Sequence, residues 1–256
     1  MTRPLAPDRI DLSLSALLFV QGANLFVALP LAARHPASLL LLDTGHLIFA
    51  AIAVTVLTRH RAVQIALLAG LALLAASSLL GAHLAVLIGI ARTTQHEVIA
   101  FTAFAFNGLV TALVARHVFG PGRVTGHRVR GAILIYLNTA ALFAIAYGAL
   151  ETYVPGSLVP TVGHKLADTP SGITAALTYY SLTTITTSGF GDIVPLHPLA
   201  RSLANLESVF GQLFPATLLA RLVALHLAHT AGVAPVPPNG VDAGSGQMMP
   251  SASKSP

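Results

Sequence analysis

The sequence predicts an all-α membrane protein with six transmembrane helices and, between the fifth and the sixth, a re-entrant helix that leads into a polar loop. Three observations carry this fold class. Of the 256 residues, 54% are hydrophobic and 9% are charged, whereas about 25% of residues are charged in a typical soluble domain. Long apolar runs recur along the chain, and one run, residues 172–186, is too short to cross a bilayer. That short run ends in a loop of threonine and glycine residues.

The longer apolar runs are the predicted spans, and five of them precede the short run, at residues 12–33, 37–57, 62–90, 98–119 and 131–150. Gly22 and Pro30 interrupt the first run, which membrane helices tolerate, and this run is longer than the hydrophobic part of a signal peptide. The polar segment 151–171 is predicted to be an extracellular turret. The sixth run, 198–229, exceeds the hydrocarbon thickness at about 1.5 Å per residue, so its inner end should project into water.

The chain divides into a four-helix peripheral module (1–119), a basic linker (120–130), a second module (131–230) and a tail (231–256). The tail is rich in Pro, Gly and Ser and is predicted to be disordered and cytoplasmic. The linker is predicted to be a solvated connector. The alternative is contact with anionic lipid headgroups through three arginines, Arg123, Arg128 and Arg130.

The distribution of Lys and Arg predicts that both termini are cytoplasmic. In that orientation ten of the 14 basic residues lie inside and four lie outside, which obeys the positive-inside rule. The net charge of +5 therefore reflects orientation and does not indicate a nucleic-acid partner. The chain has no cysteine, so it has no disulfide framework and no thiolate metal site. The composition favours a bacterial inner membrane.

The polar loop, residues 183–192 with the sequence TTITTSGFGD, is unusual next to apolar runs, because exposed backbone at membrane depth is very costly. Such a loop is tolerated where it lines a path for water or ions. Gly189 and Gly191 flank one residue, so the backbone can alternate between conformations that residues with a Cβ resist. This alternation can point successive carbonyls in one direction, and a ring of such carbonyls can replace the hydration shell of a cation. A ring needs several copies of a chain that contains one such loop.

The segment 187–192, Thr-Ser-Gly-Phe-Gly-Asp, resembles the filter of potassium channels, whose usual form is Thr-Val-Gly-Tyr-Gly-Asp. The resemblance covers about residues 130–230 and includes three flanking features: an aromatic pair late in the pore helix (Tyr179-Tyr180-Ser181), an extracellular exit (Asp192-Ile193-Val194-Pro195) and the position of a gating glycine (Gly211). It implies a pore helix at 172–186, a selectivity filter at 187–192 and an inner helix at 198–229.

The resemblance further implies a passive potassium channel that works as a homotetramer, with potassium ions as the permeant ligand and no cofactor. The resemblance assigns ion coordination to the filter residues Thr187, Ser188, Gly189, Phe190 and Gly191. The Thr187 hydroxyl is expected to add an innermost ligand. Two of these residues depart from the usual pattern. Ser188 replaces Val or Ile, and Phe190 replaces Tyr and loses a phenolic hydrogen bond. A channel that selects poorly between sodium and potassium is therefore an open alternative.

Four residues are expected to support the filter by analogy with the family: Tyr180, Thr183, Thr184 and Asp192. A buried Ser188 hydroxyl needs a partner, which Thr183 or Thr184 can supply. Thr183 also stands where some family members carry a glutamate paired with the aspartate at the filter exit. Since Asp192 lacks that partner here, Tyr180 is expected to donate a hydrogen bond to it.

The inner helix contributes three kinds of candidate. Gly211 and Pro215 are candidate bending points for gating, and a static packing kink is the alternative. The cavity-lining candidates follow from Gly211 by helical spacing, and they are Gln212, Ala216 and Leu219. Glu207 lies about level with the pore helix, where a charge facing lipid would cost several kcal/mol. It is therefore predicted to point inward and support the filter, either across a subunit boundary or through a hydroxyl of the pore helix, at Tyr179, Ser181, Thr183 or Thr184.

Ionisable residues elsewhere in the spans are few. Asp43 and His46 share one helix face and are predicted to be a buried hydrogen-bonded pair, with Asn107 or Gln64 as possible partners; a functional role is the alternative. His226 and His229 are a weak candidate metal pair. The fourth run has only Arg116, whereas a voltage sensor needs a basic residue at every third position, so gating is predicted to depend weakly on voltage. No catalytic set is recognisable, although a carrier or enzyme built on the first four spans stays an alternative.

Overall fold

The computed structural model of the protein describes residues 7–35, 39–57, 64–65, 68–70, 72, 92–119, 126–163 and 166–231. The described residues are mostly helical, in agreement with the predicted fold class. Within the described residues, three helical stretches are apolar and long enough to cross a membrane, and they are Leu12–Arg34, Ala100–Val118 and Arg128–Tyr153. The total of six spans and the re-entrant course of the short helix remain predictions.

The first predicted span is helical throughout, with one wider turn inside it. Helix α1 (Pro7–Ala23) continues into a π-helical turn (Asn24–Ala28) and then into α2 (Leu29–Arg34). The wider turn ends two residues before Pro30, whose missing N–H interrupts the regular hydrogen bonding of a helix. Helix α3 (Leu39–Leu57) covers the second predicted span.

The next two described helices are longer than the runs that predicted them. Helix α4 (Arg92–Val118) begins six residues before the predicted start at 98. Helix α5 (Gly126–Tyr153) begins inside the segment predicted as a linker, so the last five residues of that segment are helical. After Gly126 no Pro or Gly occurs before Gly131, so nothing in residues 127–130 prevents the helix from extending toward its N-terminus. The third predicted span, 62–90, lies almost entirely outside the described residues.

A two-stranded antiparallel sheet was not predicted and corrects the all-α description. Strand β1 (Leu158–Pro160) pairs with β2 (Ile193–Pro195), with Val159 opposite Val194. Glu151 at the end of α5 fixes the turn before β1. Its carboxylate accepts hydrogen bonds from the Gly156 N–H at 2.6 Å, the Ser157 hydroxyl at 2.7 Å and the Leu158 N–H at 3.2 Å. The sheet therefore connects the turret to the chain that leaves the loop.

The helices on either side of the loop agree with the predicted pore and inner helices. Helix α6 (Pro170–Ile185) begins after Thr169, whose hydroxyl caps it by accepting the Gly172 N–H at 3.1 Å. Its first residue is proline, which suits a first turn because the N–H it lacks would have no helical partner there. Helix α7 (Pro198–Ala231) contains Pro215 in its interior.

Two buried apolar clusters hold these elements together. The first joins α1, α3, α4 and α5, and Phe214 and Leu218 of α7 pack against it. The second lies where the sheet, α5, α6 and α7 meet, and its buried residues are Tyr147, Leu158, Leu177, Tyr180 and Ala200. The first cluster contains residues of both modules, so the peripheral helices pack directly on the second module.

A buried polar network also joins the modules, around Asn138 of α5. Its amide nitrogen donates to the Asn107 carbonyl at 2.9 Å and contacts the Thr111 hydroxyl at 2.5 Å, both on α4. Its amide oxygen accepts from Gln21 of α1 at 3.3 Å. The expected buried pair of Asp43 and His46 is not borne out for His46, which is exposed on α3. The side chain of Asp43 lies outside the described part of the chain.

Candidate functional site

The loop after α6 folds back on the last turn of that helix through backbone hydrogen bonds. The Thr187 N–H donates to the Thr184 carbonyl at 2.9 Å. The carbonyl of Thr183 accepts two donors, the Ser188 N–H at 2.8 Å and the Gly189 N–H at 3.1 Å. The backbone of the inner half of the loop is therefore tied to the last turn of α6.

The backbone of the loop alternates in handedness. Thr187, Gly189 and Gly191 have φ of 57°, 50° and 76°, and the two residues between them do not share this conformation. Among the described residues with a Cβ, Thr187 alone has positive φ, which is unusual for a β-branched residue. The alternation predicted from the two glycines is present, and it begins two residues before the first of them, at Thr187.

The Ser188 hydroxyl does not form a hydrogen bond with Thr183 or Thr184, the two residues expected to be its partners. Its hydroxyl lies 3.0 Å from the hydroxyl of Thr186, whereas Thr183 donates to the carbonyl of Tyr180 at 2.9 Å. Thr183 is buried and Ser188 is exposed in the chain. The prediction of a Thr183 or Thr184 partner was wrong, because the loop turns the Ser188 side chain away from the buried face of α6.

At the outer end of the loop, Asp192 is paired with the neighbour of the expected residue. The phenol of Tyr179 interacts with the Asp192 carboxylate, and its ring stacks on Phe190 with centroids 6.4 Å apart. Tyr180 points to a different side of α6, where it is buried and its ring centroid lies 5.0 Å from that of Tyr147. Adjacent residues of a helix lie about 100° apart, so the two tyrosines cannot face the same group. The prediction for Tyr180 is thereby corrected.

The phenol of Tyr180 interacts with the side chain of Thr184, one turn further along the helix. The Asp192 carbonyl accepts the Thr161 N–H of the turret at 2.8 Å. Tyr180 and Thr184 therefore stabilise α6 behind the loop, while the turret holds the exit. Their support of the filter remains a prediction.

Helix α7 contacts the inner end of the loop through Gln212. The Gln212 amide nitrogen donates to the Thr187 hydroxyl at 2.8 Å. The three residues predicted to line a cavity, Gln212, Ala216 and Leu219, are all exposed in the isolated chain. That they line a cavity remains a prediction, and no sequence signal indicated the contact between Gln212 and Thr187.

Gly211, next to Gln212, is buried against α6. A Cβ at this position would collide with the main-chain carbonyl of Ile185. The same carbonyl accepts the hydroxyl of Tyr136 from α5 at 2.8 Å. The glycine is thus required for the close approach of two helices, whatever part it takes in gating.

Glu207 is fully buried, as predicted, and two hydroxyls bind it. Ser181 of α6 contacts its Oε1, and Tyr147 of α5 donates to its Oε2 at 2.7 Å. The Ser181 contact confirms the predicted orientation toward the pore helix. Tyr147, 60 residues earlier in the chain, had no sequence signal.

The inner half of α7 is attached to the end of α4. The guanidinium of Arg221 donates to the Phe119 carbonyl at 3.1 Å and lies 5.4 Å from the centroid of the Phe119 ring. That ring meets Phe214 edge-on at 6.2 Å. The contact joins the peripheral module to the helix that carries Gln212.

The remaining candidates have little structural support. Arg123 lies outside the described residues, and Arg130 is exposed on the first turns of α5 with Arg128 beside it. The side chains of His226 and His229 also lie outside them. Within the described ranges, no group of three or more His, Cys, Asp or Glu residues could hold a metal ion.

Comparison with known proteins covers the region that runs from α5 into α7. Residues 133–226 match a family model described as ion channel. Over 99 residues the chain is 33% identical to the inward rectifier potassium channel Kirbac3.1 of Paramagnetospirillum magnetotacticum. That alignment covers 39% of this chain and 30% of the relative, so the chain spans less than a third of that relative's length. No solved structure matches the chain.

Proposed function

We propose that this chain, whose residues 133–226 are a pore module of the potassium-channel family, conducts potassium ions passively across a membrane as a homotetramer. The chain is an integral membrane protein of the channel class and not an enzyme. The observation that carries the proposal is the alternating backbone at Thr187, Gly189 and Gly191. Such an alternation can direct successive carbonyls toward one side, where they can replace the hydration shell of a potassium ion.

The homotetramer follows from the number of loops. One chain supplies one strand of oxygen ligands, and a closed ring around an ion needs several. In the proposed assembly the carbonyls from Thr187 to Gly191 line the axis, and the Thr187 hydroxyl is the innermost ligand. Gln212 holds that hydroxyl by its hydrogen bond of 2.8 Å. Gln212, Ala216 and Leu219 then face the water-filled cavity below.

A channel with poor selectivity is the second candidate, and Ser188 favours it. The usual Val or Ile at this position packs an apolar side chain behind the filter. Ser188 instead pairs its hydroxyl with Thr186 at 3.0 Å. If that polar contact allows the loop to widen, sodium passes as readily as potassium.

Reversal potentials of the purified protein in a planar bilayer test the proposal. Under a gradient of K⁺ against Na⁺, we expect a reversal close to the potassium equilibrium potential. A reversal near zero leaves only the non-selective channel. Unitary currents at rates far above the turnover of a carrier separate both from a transporter built on the peripheral helices.

The proposal includes weak voltage dependence and a cytoplasmic location of both termini. Arg116 stands in the last turn of α4, near the interface, where a charge crosses little of the field. A bacterial inner membrane is the proposed site, with anionic lipids near Arg128 and Arg130. Recordings in which pH, voltage, stretch and lipid are varied in turn would identify the gating stimulus.

A further inference from the structure

Glu207 is completely buried where three helices meet, and the proposed conduction path does not use it. Its carboxyl group is part of a chain of polar contacts. The Tyr147 hydroxyl donates to Oε2 at 2.7 Å, and the Ser181 hydroxyl contacts Oε1. The same Ser181 hydroxyl lies 2.7 Å from the carbonyl of Ala140 on α5. The contacts therefore run from Tyr147 through Glu207 and Ser181 to Ala140.

The number of hydrogens in this chain of contacts determines the state of the acid. Each of the three oxygen–oxygen contacts needs one hydrogen, since two lone pairs at such a distance repel. Tyr147 supplies one hydrogen and Ser181 supplies one. The Ala140 carbonyl has none. The third must therefore come from Glu207, and only Oε1 can donate it in a way that frees the Ser181 hydrogen for Ala140.

The surroundings of Glu207 agree with this count. Among the described residues, the groups that act on its carboxyl are the Ser181 and Tyr147 hydroxyls, and neither is a cation. The titratable groups that face it are phenols, namely Tyr136 and Tyr147 of α5 and Tyr180 of α6. A buried carboxylate without a positive partner is very costly. The side chain has no exposed surface in the single chain, so an assembly brings no further group into contact with it.

We infer that Glu207 is a neutral carboxylic acid, protonated on Oε1, and that it positions the filter by donating to Ser181 while Ser181 donates to Ala140. This relay fixes α6 between α5 and α7. Two residues after Ser181, the Thr183 carbonyl accepts the N–H groups of Ser188 and Gly189. A shift of α6 is therefore passed to the loop. The effect on the loop rests on the proposed function, whereas the protonation of Glu207 does not.

The substitutions Glu207→Gln and Glu207→Leu separate this inference from a packing role. The Gln amide has the same shape, and its NH₂ donates to Ser181 while its oxygen accepts from Tyr147. We expect Glu207→Gln to keep the melting temperature and the open probability of the parent. Glu207→Leu leaves two buried hydroxyls short of a partner, and each loss corresponds to about a 5- to 150-fold change in the unfolding equilibrium. An ionised Glu207 would accept from both hydroxyls, so the Gln amide would reverse the hydrogen bond to Ser181 and the Gln variant would differ from the parent.

Infrared difference spectroscopy of the full chain in liposomes observes the proton directly. At neutral pH we expect the C=O stretch of a protonated carboxylic acid, absent in Glu207→Gln and shifted in Ser181→Ala, where the acid loses its acceptor. A carboxylate band in its place overturns the inference, even if the Leu variant does not assemble. The measurement needs no ion flow, so a protein with the acid band but without potassium current refutes the proposed function alone.

Discussion

Gly211 of α7 lies so close to the carbonyl of Ile185, the last residue of α6, that no side chain fits between them. The hydroxyl of Tyr136 from α5 donates to the same carbonyl at 2.8 Å. The three helices meet again one turn away, where Glu207, Ser181 and the Ala140 carbonyl are in contact. Each helix therefore contributes two residues four positions apart, which lie on one helix face.

Replacement of Gly211 by Ala should separate α7 from α6. The added methyl group collides with backbone, which cannot move aside as a flexible side chain can, and overpacking of this kind costs about 1–3 kcal/mol. Gly108 on α4 is the matched control, because a Cβ there meets nothing within 4 Å. We expect a lower melting temperature in detergent for Gly211→Ala and an equal or higher one for Gly108→Ala. If Gly211→Ala changes gating rates at an unchanged melting temperature, Gly211 acts as a hinge and not as a packing residue.

Gly189→Ala should abolish potassium current, because it disturbs the backbone conformation of the loop without any steric collision. A Cβ at Gly189 meets nothing within 4 Å, but its φ of 50° disfavours any residue other than glycine. Gly156 in the turret has a φ of 81° and equally open surroundings, so Gly156→Ala carries the same conformational cost away from the filter. We expect Gly156→Ala to conduct with the selectivity of the parent in bilayer recordings. Normal current through Gly189→Ala would show that the loop does not need its alternating backbone.

Gln212→Leu should weaken selectivity at the inner end of the filter. The substitution removes the donor that holds the Thr187 hydroxyl at 2.8 Å, and the net loss of one such hydrogen bond is about 0.5–1.5 kcal/mol. The expected result is a smaller permeability ratio of K⁺ to Na⁺, measured from reversal potentials. Leu213→Ala on the same helix is the control, because Leu213 is exposed and is not one of the residues proposed to line the cavity. Equal ratios in parent and Gln212→Leu would remove Gln212 from the account of selectivity.

Conductance should vary little with voltage, and Arg116→Gln should leave the curve unchanged. Each elementary charge that crosses the membrane contributes about 2.3 kcal/mol per 100 mV, and steep gating needs several charges per subunit. Arg116 and His117 stand together in the last turn of α4, too near its end to move far through the field. Macroscopic currents over a voltage ramp measure the slope. A steep slope that persists without blocking ions would contradict this prediction.

Local sequence signals located the helices around the loop closely. Residues 172–186 were predicted as a helix, and α6 spans Pro170–Ile185. The observed start of α6 also has a sequence signal. Thr169 is a preferred N-cap residue, and Pro170 is a preferred first residue of a helix. The inner helix, predicted at 198–229, is found at Pro198–Ala231.

Contacts between distant parts of the chain could not be predicted in the same way. The strands β1 and β2 have three residues each, too few to show a period. Tyr147 and Glu207 meet only because α5 and α7 pack around α6. For Asp192, the sequence offered two adjacent tyrosines, and the choice between Tyr179 and Tyr180 depended on the rotation of α6 about its axis.

Pro215 marks a point at which the inner half of α7 can bend as one rigid arm. It has no N–H to donate to the carbonyl of Gly211, so the helix is weakened directly below the point where Gly211 is held against α6. From Pro215 to Ala231 the helix extends 16 residues, an arm of about 24 Å at about 1.5 Å per residue. A bend of about 10° at the pivot swings the far end of that arm through about 4 Å. Arg221 lies part of the way along this arm and is bonded to Phe119 of the peripheral module. A shift of the peripheral module can therefore move the arm.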